Sequence, residues 1–264
     1  MKIFVSVISH GHAKLIDSLG CLKKINESTN IVVVVKNNCK DQELIDYCIK
    51  NSIDYIDNEY GKGFGENNNI VYKYCVEKYK TRDCDLFLVL NPDVLIETEV
   101  LLSMLSGMKE NSINFATLNL FKNLDKTIFD PSIRRFPKFL DFTSSFIGLG
   151  NKTIINKENI ESISCIDWSA GSCLFFTFKH YCDLRGFDQN YFMYCEDIDI
   201  CFRSKAMEEE LWYFPNLHAI HLAKHANRNV FSKHFIWHIN SVIKYLYYSS
   251  VSDSKRNARI ISCI

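Results

Sequence analysis

The stretch LFLVLNPD, residues 86–93, decides the fold because it joins a continuous apolar run to a polar turn. A short apolar run bounded by turn residues is typical of a buried strand, and we predict one over residues 85–90. Asp93 follows that strand directly, where a carboxylate is a good ligand for Mg²⁺ or Mn²⁺ bound together with a substrate phosphate. The alternative is a simple turn, since Asn, Pro and Asp are common turn residues.

Similar strands alternate with helical patterns over the first third of the chain. Strands are predicted over residues 3–8, 31–35 and 52–56, and helices over 13–25, 41–50 and 67–80, with Asp41 as an N-cap. This alternation predicts an α/β protein with a mostly parallel central sheet flanked by helices. All four strands end in polar residues, which favours a ligand site at that edge over ordinary polar loops. These residues are Ser9, His10, Asn37, Asn38, Asp57, Asn58, Asn91 and Asp93.

The second half of the chain is less regular. Strands are predicted over residues 115–121, 173–178, 191–194 and 211–214, helices over 198–207 and 231–248, and a loop over 130–137. No internal repeat and no linker-like change of composition divides the halves. We therefore predict one domain over residues 1–228 and a helical C-terminal appendage over residues 229–264.

Charge is distributed unevenly along the chain, although the net charge of the 264 residues is zero, from 31 basic and 31 acidic residues. Residues 216–264 carry seven basic residues and one acidic residue, so this tail is +6 and the rest is −6. Such asymmetry indicates a surface that meets an anionic partner. Hydrophobic residues make up 47% and charged residues 23%, which excludes a disordered chain.

The cysteine pattern and the apolar segments predict the compartment. The eleven cysteines are an odd number and form no CxxC pair, so we expect free thiols in a reducing cytosol. No apolar stretch of this sequence reaches the ~18 residues of a membrane-spanning helix. We therefore expect a cytosolic protein that is attached to a surface without spanning a membrane.

Two segments carry patterns that suit chemistry on phosphates and hydroxyls. The loop GKGFGENNN, residues 61–69, leads into a predicted helix whose N-terminal amides can hold a phosphate. It matches neither a P-loop nor a dinucleotide-binding fingerprint, and a flexible loop with an Asn cap is the alternative. The sequence YCEDID, residues 194–199, places three carboxylates within four positions at a helix start. An ionised carboxylate there can act as a general base, and helix capping is the alternative.

The tail contains five of the eight histidines, at positions 218, 221, 225, 234 and 238. Residues 218–225 do not match HExxH and contain no carboxylate, which argues against a zinc protease. One of these histidines could complete a metal shell that Asp93 begins. An apolar stripe over residues 231–248, with basic neighbours, suits either an anionic bilayer surface or packing on the domain.

Five segments in this order resemble glycosyltransferase family 2, the inverting enzymes that use sugar nucleotides and have the GT-A fold. They are IDNEYGKGFGENNN (56–69), FLVLNPDV (87–94), DWSAGSCLFF (167–176), GFDQNYFMYCEDIDICFR (186–203) and HAIHLAKH (218–225). They are similar in particular to the bacterial rhamnosyltransferases of O-antigen assembly, which use dTDP-L-rhamnose and extend a lipid-linked N-acetylglucosamine. The resemblance covers nearly the whole chain and implies a nucleotide-sugar half (1–95) and an acceptor half (96–228).

The resemblance also implies roles for single residues. Asp197 would be the catalytic base with Glu196 beside it, and Asp93 and His221 would bind Mg²⁺ or Mn²⁺, with His225 as the alternative. Asn91 stands where the DxD motif of the family has its first Asp. The donor region would contain Ser9, Asn37, Asp57, Asn58, Gly63, Phe64, Gly65, Asn68, Asn91 and Asp93. The donor sugar and acceptor would be bordered by Asp167, Trp168, Ala170 and Gly171, with Arg134 and Arg135 on a diphosphate.

We expect transfer of a sugar, most simply L-rhamnose from dTDP-β-L-rhamnose, to a polyprenyl-diphosphate-linked N-acetylglucosamine at the inner face of the cell membrane, with no nucleic-acid partner. A sugar nucleotidyltransferase would need a basic, glycine-rich loop after the first strand, which residues 9–12 lack. A non-catalytic carbohydrate- or lipid-binding relative is suggested by Asn37 and Asn91. The same enzyme with another nucleotide-sugar donor is the remaining alternative.

Overall fold

The computed structural model describes residues 1–146, 150–223, 233–251 and 260. The first half alternates strands and helices as the sequence predicts. Its elements are β1 (Ile3–Ser9), α1 (Ala13–Leu19), α2 (Cys21–Asn26), β2 (Ile31–Asn37), α3 (Gln42–Lys50), β3 (Asp54–Ile56), α4 (Phe64–Tyr79) and β4 (Leu86–Leu90). The predicted N-cap of α3 is confirmed, because the Asp41 side chain accepts a hydrogen bond from the amide of Leu44 at 3.3 Å.

The described part of the second half contains seven strands and five helices. In chain order they are β5 (Val94–Leu95), α5 (Thr98–Glu110), β6 (Phe115–Phe121), β7 (Ile133–Arg134), α6 (Phe139–Phe146), β8 (Ser164–Ile166), β9 (Trp168–Ser169), β10 (Cys173–Thr177), α7 (Phe178–Asp183), α8 (Glu196–Ala206), β11 (Leu211–His221) and α9 (Lys233–Ser249). A single 3-10 turn covers Lys157–Asn159.

Nine of the described strands form one curved sheet in the order β3-β2-β1-β4-β10-β6-β11-β5, with β8 beside β11, and β7 and β9 form a separate two-stranded sheet. Strands β3, β2, β1 and β4 are parallel, β10 is antiparallel to both its neighbours, and β6 and β11 are parallel. The predicted α/β class with a GT-A type sheet is confirmed. Because β10 reverses between β4 and β6, its first residues lie at the edge where the parallel strands end. That edge therefore collects the polar strand ends and the segment before Cys173.

Four local predictions are wrong, two of them because residues adopt a left-handed backbone conformation. The single helix over residues 13–25 is two helices, because Gly20 adopts a left-handed conformation with φ 62° and ends α1. Residues 191–194 form no strand, since Tyr194 and Cys195 have φ values of 71° and 62°. The strand predicted over 211–214 continues to His221, and the loop over 130–137 contains β7.

The sheet is covered by apolar side chains on both faces, as a parallel sheet requires. One face packs against α1, α2, α3 and α5, and the other packs an aromatic cluster against α4, α7 and α8. Within that cluster, the Tyr72 ring stacks on Phe178 at 4.9 Å between centroids, and the Phe87 ring lies 4.8 Å from Tyr181. Each such buried aromatic contributes about 1.5–3 kcal/mol, so the site rests on a rigid layer.

The C-terminal helix α9 packs on the body of the protein along one face. Tyr245 is buried, with its ring 6.0 Å from Phe142 of α6 and 6.2 Å from Phe202 of α8. The opposite face exposes Ile236, Ile243 and Tyr247. The boundary predicted between residues 228 and 229 lies outside the described residues.

None of the helices in the described ranges is long and apolar enough to cross a bilayer. The cysteines that the structure describes are all free thiols, in agreement with the prediction from their spacing.

Candidate active site

Asp197 lies in the first turn of α8 and faces the segment before β10. Its Oδ2 accepts a hydrogen bond from the amide of Gly171 at 3.2 Å, and its Oδ1 accepts one from the amide of Ile198 at 2.9 Å. Burial raises the pKa of Asp197, although these amides and the charge of Arg134 act in the opposite direction. A buried carboxylate whose pKa is raised holds a proton more readily, which is the property of a general base.

Glu196 is the first residue of α8 and is buried, whereas Asp197 is half-buried. Its Oε2 has no hydrogen-bond partner within the described part of the chain. Burial, followed by the negative charge of Asp197, raises the pKa of Glu196 well above its usual value. The negative charge of Asp197 therefore favours the protonated form of Glu196.

The third carboxylate of the motif has a different environment. Asp199 forms a buried ion pair with Arg203 at 2.8 Å, and Arg203 also donates to the carbonyl of Gly186 at 2.8 Å. Because both side chains of this pair are almost fully buried, Asp199 fixes α8 against the preceding loop. Helix capping accounts for part of this motif, since Asp197 accepts from the amide of Ile198 while the N-cap residue Cys195 makes no side-chain cap.

A short segment, Gly171–Ser172, lies between Asp197 on α8 and the turn after β4 that contains Asp93. The amide of Gly171 contacts Asp197, and the carbonyl of Ser172 accepts from the amide of Asn91 at 3.0 Å. A β-carbon at Gly171 would lie 3.1 Å from the Phe64 ring and 3.6 Å from Cβ of Asp197. Glycine therefore permits the close approach of α4, α8 and this segment.

Asp93 and His221 meet at the end of the sheet because β5 pairs with β11. The Nε2 of His221 lies 3.4 Å from Oδ1 of Asp93, and its Nδ1 lies 3.1 Å from Oδ2 of Asp130. Burial opposes the charge of His221, but these two carboxylates raise its pKa to about 9. Burial likewise opposes the charge of Asp93, and His221 nevertheless lowers the pKa of that carboxyl.

The separation of Asp93 and His221 fits a divalent cation. Neighbouring ligands of an octahedral ion with bonds of about 2.1 Å lie about 3 Å apart, and these two atoms are 3.4 Å apart. Within the described ranges, no three His, Cys, Asp or Glu side chains form a complete metal site. Diphosphate oxygens and water would supply the other ligands, as is usual for Mg²⁺.

The other histidines of the tail do not join this pair. His218 also lies on β11, where its Nε2 is 3.0 Å from the carbonyl of Pro215. The alternative ligand His225 lies outside the described residues. His12, which sequence reasoning passed over, is near enough to Asp93 for their charges to interact.

The ends of β2 and β3 form a polar cluster next to the glycine-rich loop. The Asn37 amide donates to Oδ1 of Asp57 at 2.9 Å, and the Asn38 side chain makes two hydrogen bonds of 3.0 Å to the backbone of Lys62. Lys36, whose role sequence reasoning missed, is fully buried and donates to the carbonyls of Asn37 and Asn58. The sequence signal for this role was a lysine at the end of an otherwise apolar strand. A lysine is rarely buried unless its ammonium group has a partner.

Backbone contacts in the glycine-rich loop position the start of α4. A β-carbon at Gly63 would overlap the carbonyl oxygen of Phe192, and one at Gly65 would lie 2.6 Å from Cβ of Phe187. Asn68 is buried and bonds to Ser6 at 2.7 Å and to the carbonyl of Phe64 at 3.0 Å. Its amide is therefore used within the fold, and glycine at positions 63 and 65 permits α4 to approach residues 187–192.

The remaining predicted residues lie around β7 and β9 and at the end of β1. Trp168 is buried and donates to the carbonyl of Arg135 at 2.8 Å, while the Arg134 guanidinium lies 5.1 Å from the Trp168 ring. The amide of Ala170 donates to the carbonyl of Ser132 at 2.9 Å. Ser9 is buried, and its Oγ accepts from the amide of His12 at 3.2 Å. Arg134 thus lies near Asp197, while the Arg135 side chain is exposed.

Solved structures with the same architecture cover most of the chain. The mannosyltransferase PcManGT from Pyrobaculum calidifontis, in complex with GDP-Man and Mn²⁺, aligns with a TM-score of 0.59 and 12% identity over 92% of this chain and 64% of its own. S. aureus TarS 1–349 in complex with UDP-GlcNAc aligns with a TM-score of 0.55 and 13% identity over 98% of this chain and 70% of its own. These likenesses show that the chain has a GT-A fold.

Sequence comparison gives the narrower assignment. The chain is 39% identical to rhamnosyltransferase WbbL of Escherichia coli (strain K12) over 263 residues, which are 98% of each protein. It is 25% identical over 188 residues to the hexosyltransferase Agl10 of Haloferax volcanii, covering 71% of this chain and 58% of that protein. No family model matches the chain. On the full-length likeness, the chain belongs to glycosyltransferase family 2.

Proposed function

We propose that the protein is an inverting rhamnosyltransferase that moves L-rhamnose from dTDP-β-L-rhamnose to a polyprenyl-diphosphate-linked N-acetylglucosamine during cell-surface polysaccharide synthesis. The donor proposal is supported by the end-to-end identity to a rhamnosyltransferase. The observation that carries the mechanism is Asp197, a half-buried carboxylate held by the amide of Gly171 beside the glycine-rich loop.

Asp197 is the proton acceptor in this proposal. Its carboxylate removes the proton of the acceptor hydroxyl as that oxygen attacks the anomeric carbon from the face opposite the diphosphate. Inversion requires one base and no covalent nucleophile, so a single free carboxylate is sufficient. A positioned base contributes about 10²–10⁴-fold to the rate.

Asp93 and His221 would hold Mg²⁺ or Mn²⁺ at the opposite side of the Gly171–Ser172 segment. When bound, the cation neutralises charge on the departing diphosphate. Arg134, whose charge reaches Asp197, is placed to contact the acceptor diphosphate or the donor. The amides at the start of α4 can stabilise a further phosphate oxygen.

The membrane surface is the proposed partner that brings the lipid-linked acceptor. Helix α6 exposes Phe139 and Leu140 at 63% and 73%, directly after the exposed cations Arg135 and Lys138. Helix α9 contacts α6 through Tyr245, contains no acidic residue, and exposes a second apolar row. Apolar side chains with basic neighbours suit an anionic bilayer, where each cation adds about 1 kcal/mol.

A transfer assay tests the activity. Purified protein is incubated with dTDP-rhamnose, UDP-GlcNAc or GDP-mannose and a polyprenyl-diphosphate-linked N-acetylglucosamine, with Mn²⁺ or with a chelator. We expect transfer from dTDP-rhamnose that the chelator abolishes. Transfer from another donor alone would contradict the rhamnose assignment, and the absence of transfer and of hydrolysis with every donor would favour the non-catalytic alternative.

Vesicle sedimentation tests the membrane contact. Because α9 also covers Phe142 and Phe202, truncation would disturb the fold, and exposed substitutions are the better tool. The triple variant Ile236→Ser, Ile243→Ser, Tyr247→Ser should lose binding to phosphatidylglycerol vesicles and keep donor affinity. Leu124→Ser, at an equally exposed position elsewhere, is the matched control. Unchanged sedimentation of the triple variant would contradict this contact.

A further inference from the structure

We propose that Asp130 is a positioning residue that orients His221 for the divalent cation. The inference rests on the metal-dependent function proposed above and adds a residue that neither the DxD-like turn nor the ED motif contains. Asp130 is 91 residues from His221 in the sequence, and the fold brings the two side chains together.

The two ring nitrogens of His221 face different carboxylates. Nδ1 is 3.1 Å from Oδ2 of Asp130, and Nε2 is 3.4 Å from Oδ1 of Asp93. When a cation takes the place of the Nε2 proton, Nδ1–H still donates to Asp130 and the lone pair is on Nε2, which faces Asp93. A carboxylate on the far nitrogen is the usual way in which proteins fix the tautomer and ring orientation of a metal-binding histidine.

The backbone around Asp130 is held firmly at the end of β6. Its amide donates to the carbonyl of Leu120 at 2.9 Å, and its carbonyl accepts from the amide of Ser132 at 2.8 Å. A bridge between Phe121 and Phe129 closes the intervening turn. Because β6 and β11 are paired in parallel, Asp130 is fixed against the strand that carries His221.

The charge of Asp130 is also balanced from within the fold. The ammonium of buried Lys157 interacts with this carboxylate and donates to Oγ of Ser132 at 3.0 Å. Asp130 therefore remains a strong acceptor although it is only 7% exposed. It lies on the ring edge away from Asp93, so it acts through His221 and does not share the cation.

The test measures Mn²⁺ affinity in the presence of dTDP, by titration with detection of free Mn²⁺ by electron paramagnetic resonance. Asp130→Ala should weaken binding about 10–100-fold, the usual effect of losing such a partner. Asp130→Asn should lose less, because its amide oxygen can still accept from Nδ1–H. Asp85→Asn is the control, since Asp85 is equally buried but bonds to Arg82 at the opposite end of β4.

A double variant separates positioning from a general loss of structure. If Asp130 acts through His221, adding Asp130→Ala to His221→Ala should weaken Mn²⁺ binding no further. Additive losses, or unchanged affinity in Asp130→Ala, would overturn the positioning role and leave the proposed transferase intact. Failure of the unmodified protein to bind Mn²⁺ with dTDP would instead overturn the metal-dependent function itself.

Discussion

The two acidic parts of the site use the same residue type in opposite environments. At the start of α8, burial raises the pKa of Asp197 and of Glu196. At the end of the sheet, His221 lowers the pKa of Asp93 against the effect of burial. A carboxylate with a raised pKa is suited to accept a proton, and one with a lowered pKa stays charged beside a cation. The surroundings of each acid, more than its position in a motif, therefore determine whether it is suited to accept a proton or to stay charged.

The largest expected effect is the loss of turnover when Asp197, whose pKa is raised, is replaced. Asp197→Asn keeps the shape of the side chain and an acceptor for the amide of Gly171, but it removes the base. The turnover number should fall about 10²–10⁴-fold while dTDP affinity stays unchanged. Transfer kinetics and nucleotide titration measure both quantities, and near-normal turnover would remove the contrast between the two acidic parts.

A stability effect separates Asp199 from its neighbours on α8. Asp199→Asn leaves the guanidinium of Arg203 buried without its carboxylate, which should lower the free energy of unfolding by about 3–5 kcal/mol. The exposed pair of Lys179 and Asp183 is the control, and Asp183→Asn should cost less than about 1 kcal/mol. Urea denaturation of both variants provides the comparison, and equal losses would contradict a distinct structural role for Asp199.

Removing the carboxylate of Asp93, whose pKa is lowered, should mainly affect nucleotide binding. Asp93→Asn is expected to weaken Mn²⁺-dependent binding of dTDP by about 10–100-fold. Loss of an outer-shell partner alone has an effect of this size, and Asp93 is proposed to contact the cation directly. In chelator, the variant and the unmodified protein should bind dTDP alike. Calorimetric titration with and without Mn²⁺ measures this, and an equal loss under both conditions would show that Asp93 contacts the nucleotide without a cation.

The smallest effect is on the pH dependence of stability. Because the pKa of Glu196 is higher in the folded than in the unfolded protein, the folded state binds more protons above the ordinary glutamate pKa, and stability falls as pH rises. Glu196→Gln removes this loss, so its melting temperature should exceed that of the unmodified protein by more at pH 8 than at pH 5. Each pKa unit corresponds to about 1.4 kcal/mol, and parallel pH curves would contradict a raised pKa.

Much of the fold followed from local pattern in the sequence. Apolar runs that end in polar residues predicted β1 to β4, and the side chain of Asp41 predicted the start of α3. The wrong prediction over residues 191–194 arose because an aromatic run resembles a strand. Two consecutive left-handed residues, Tyr194 and Cys195, turn the chain there, and nothing in their side chains announces this conformation.

The site was predictable where a motif carries it and not where distant segments meet. The sequence motifs led to Asp93, Asp197 and His221, which the structure places at the expected edge. Asp130 could not be found in this way, because its role depends on the pairing of β6 with β11. Lys36 was missed because a lysine is normally expected on the surface.

The bent segment 191–195 lies between α4 and α9 and contacts both helices. On one side Phe64 donates its amide to the carbonyl of Phe192 at 3.1 Å, and on the other Ser241 of α9 donates to the carbonyl of Met193 at 2.8 Å. This segment ends at the first turn of α8, which contains Asp197. Residues 191–195 therefore connect α9 both to the start of α4 and to the first turn of α8.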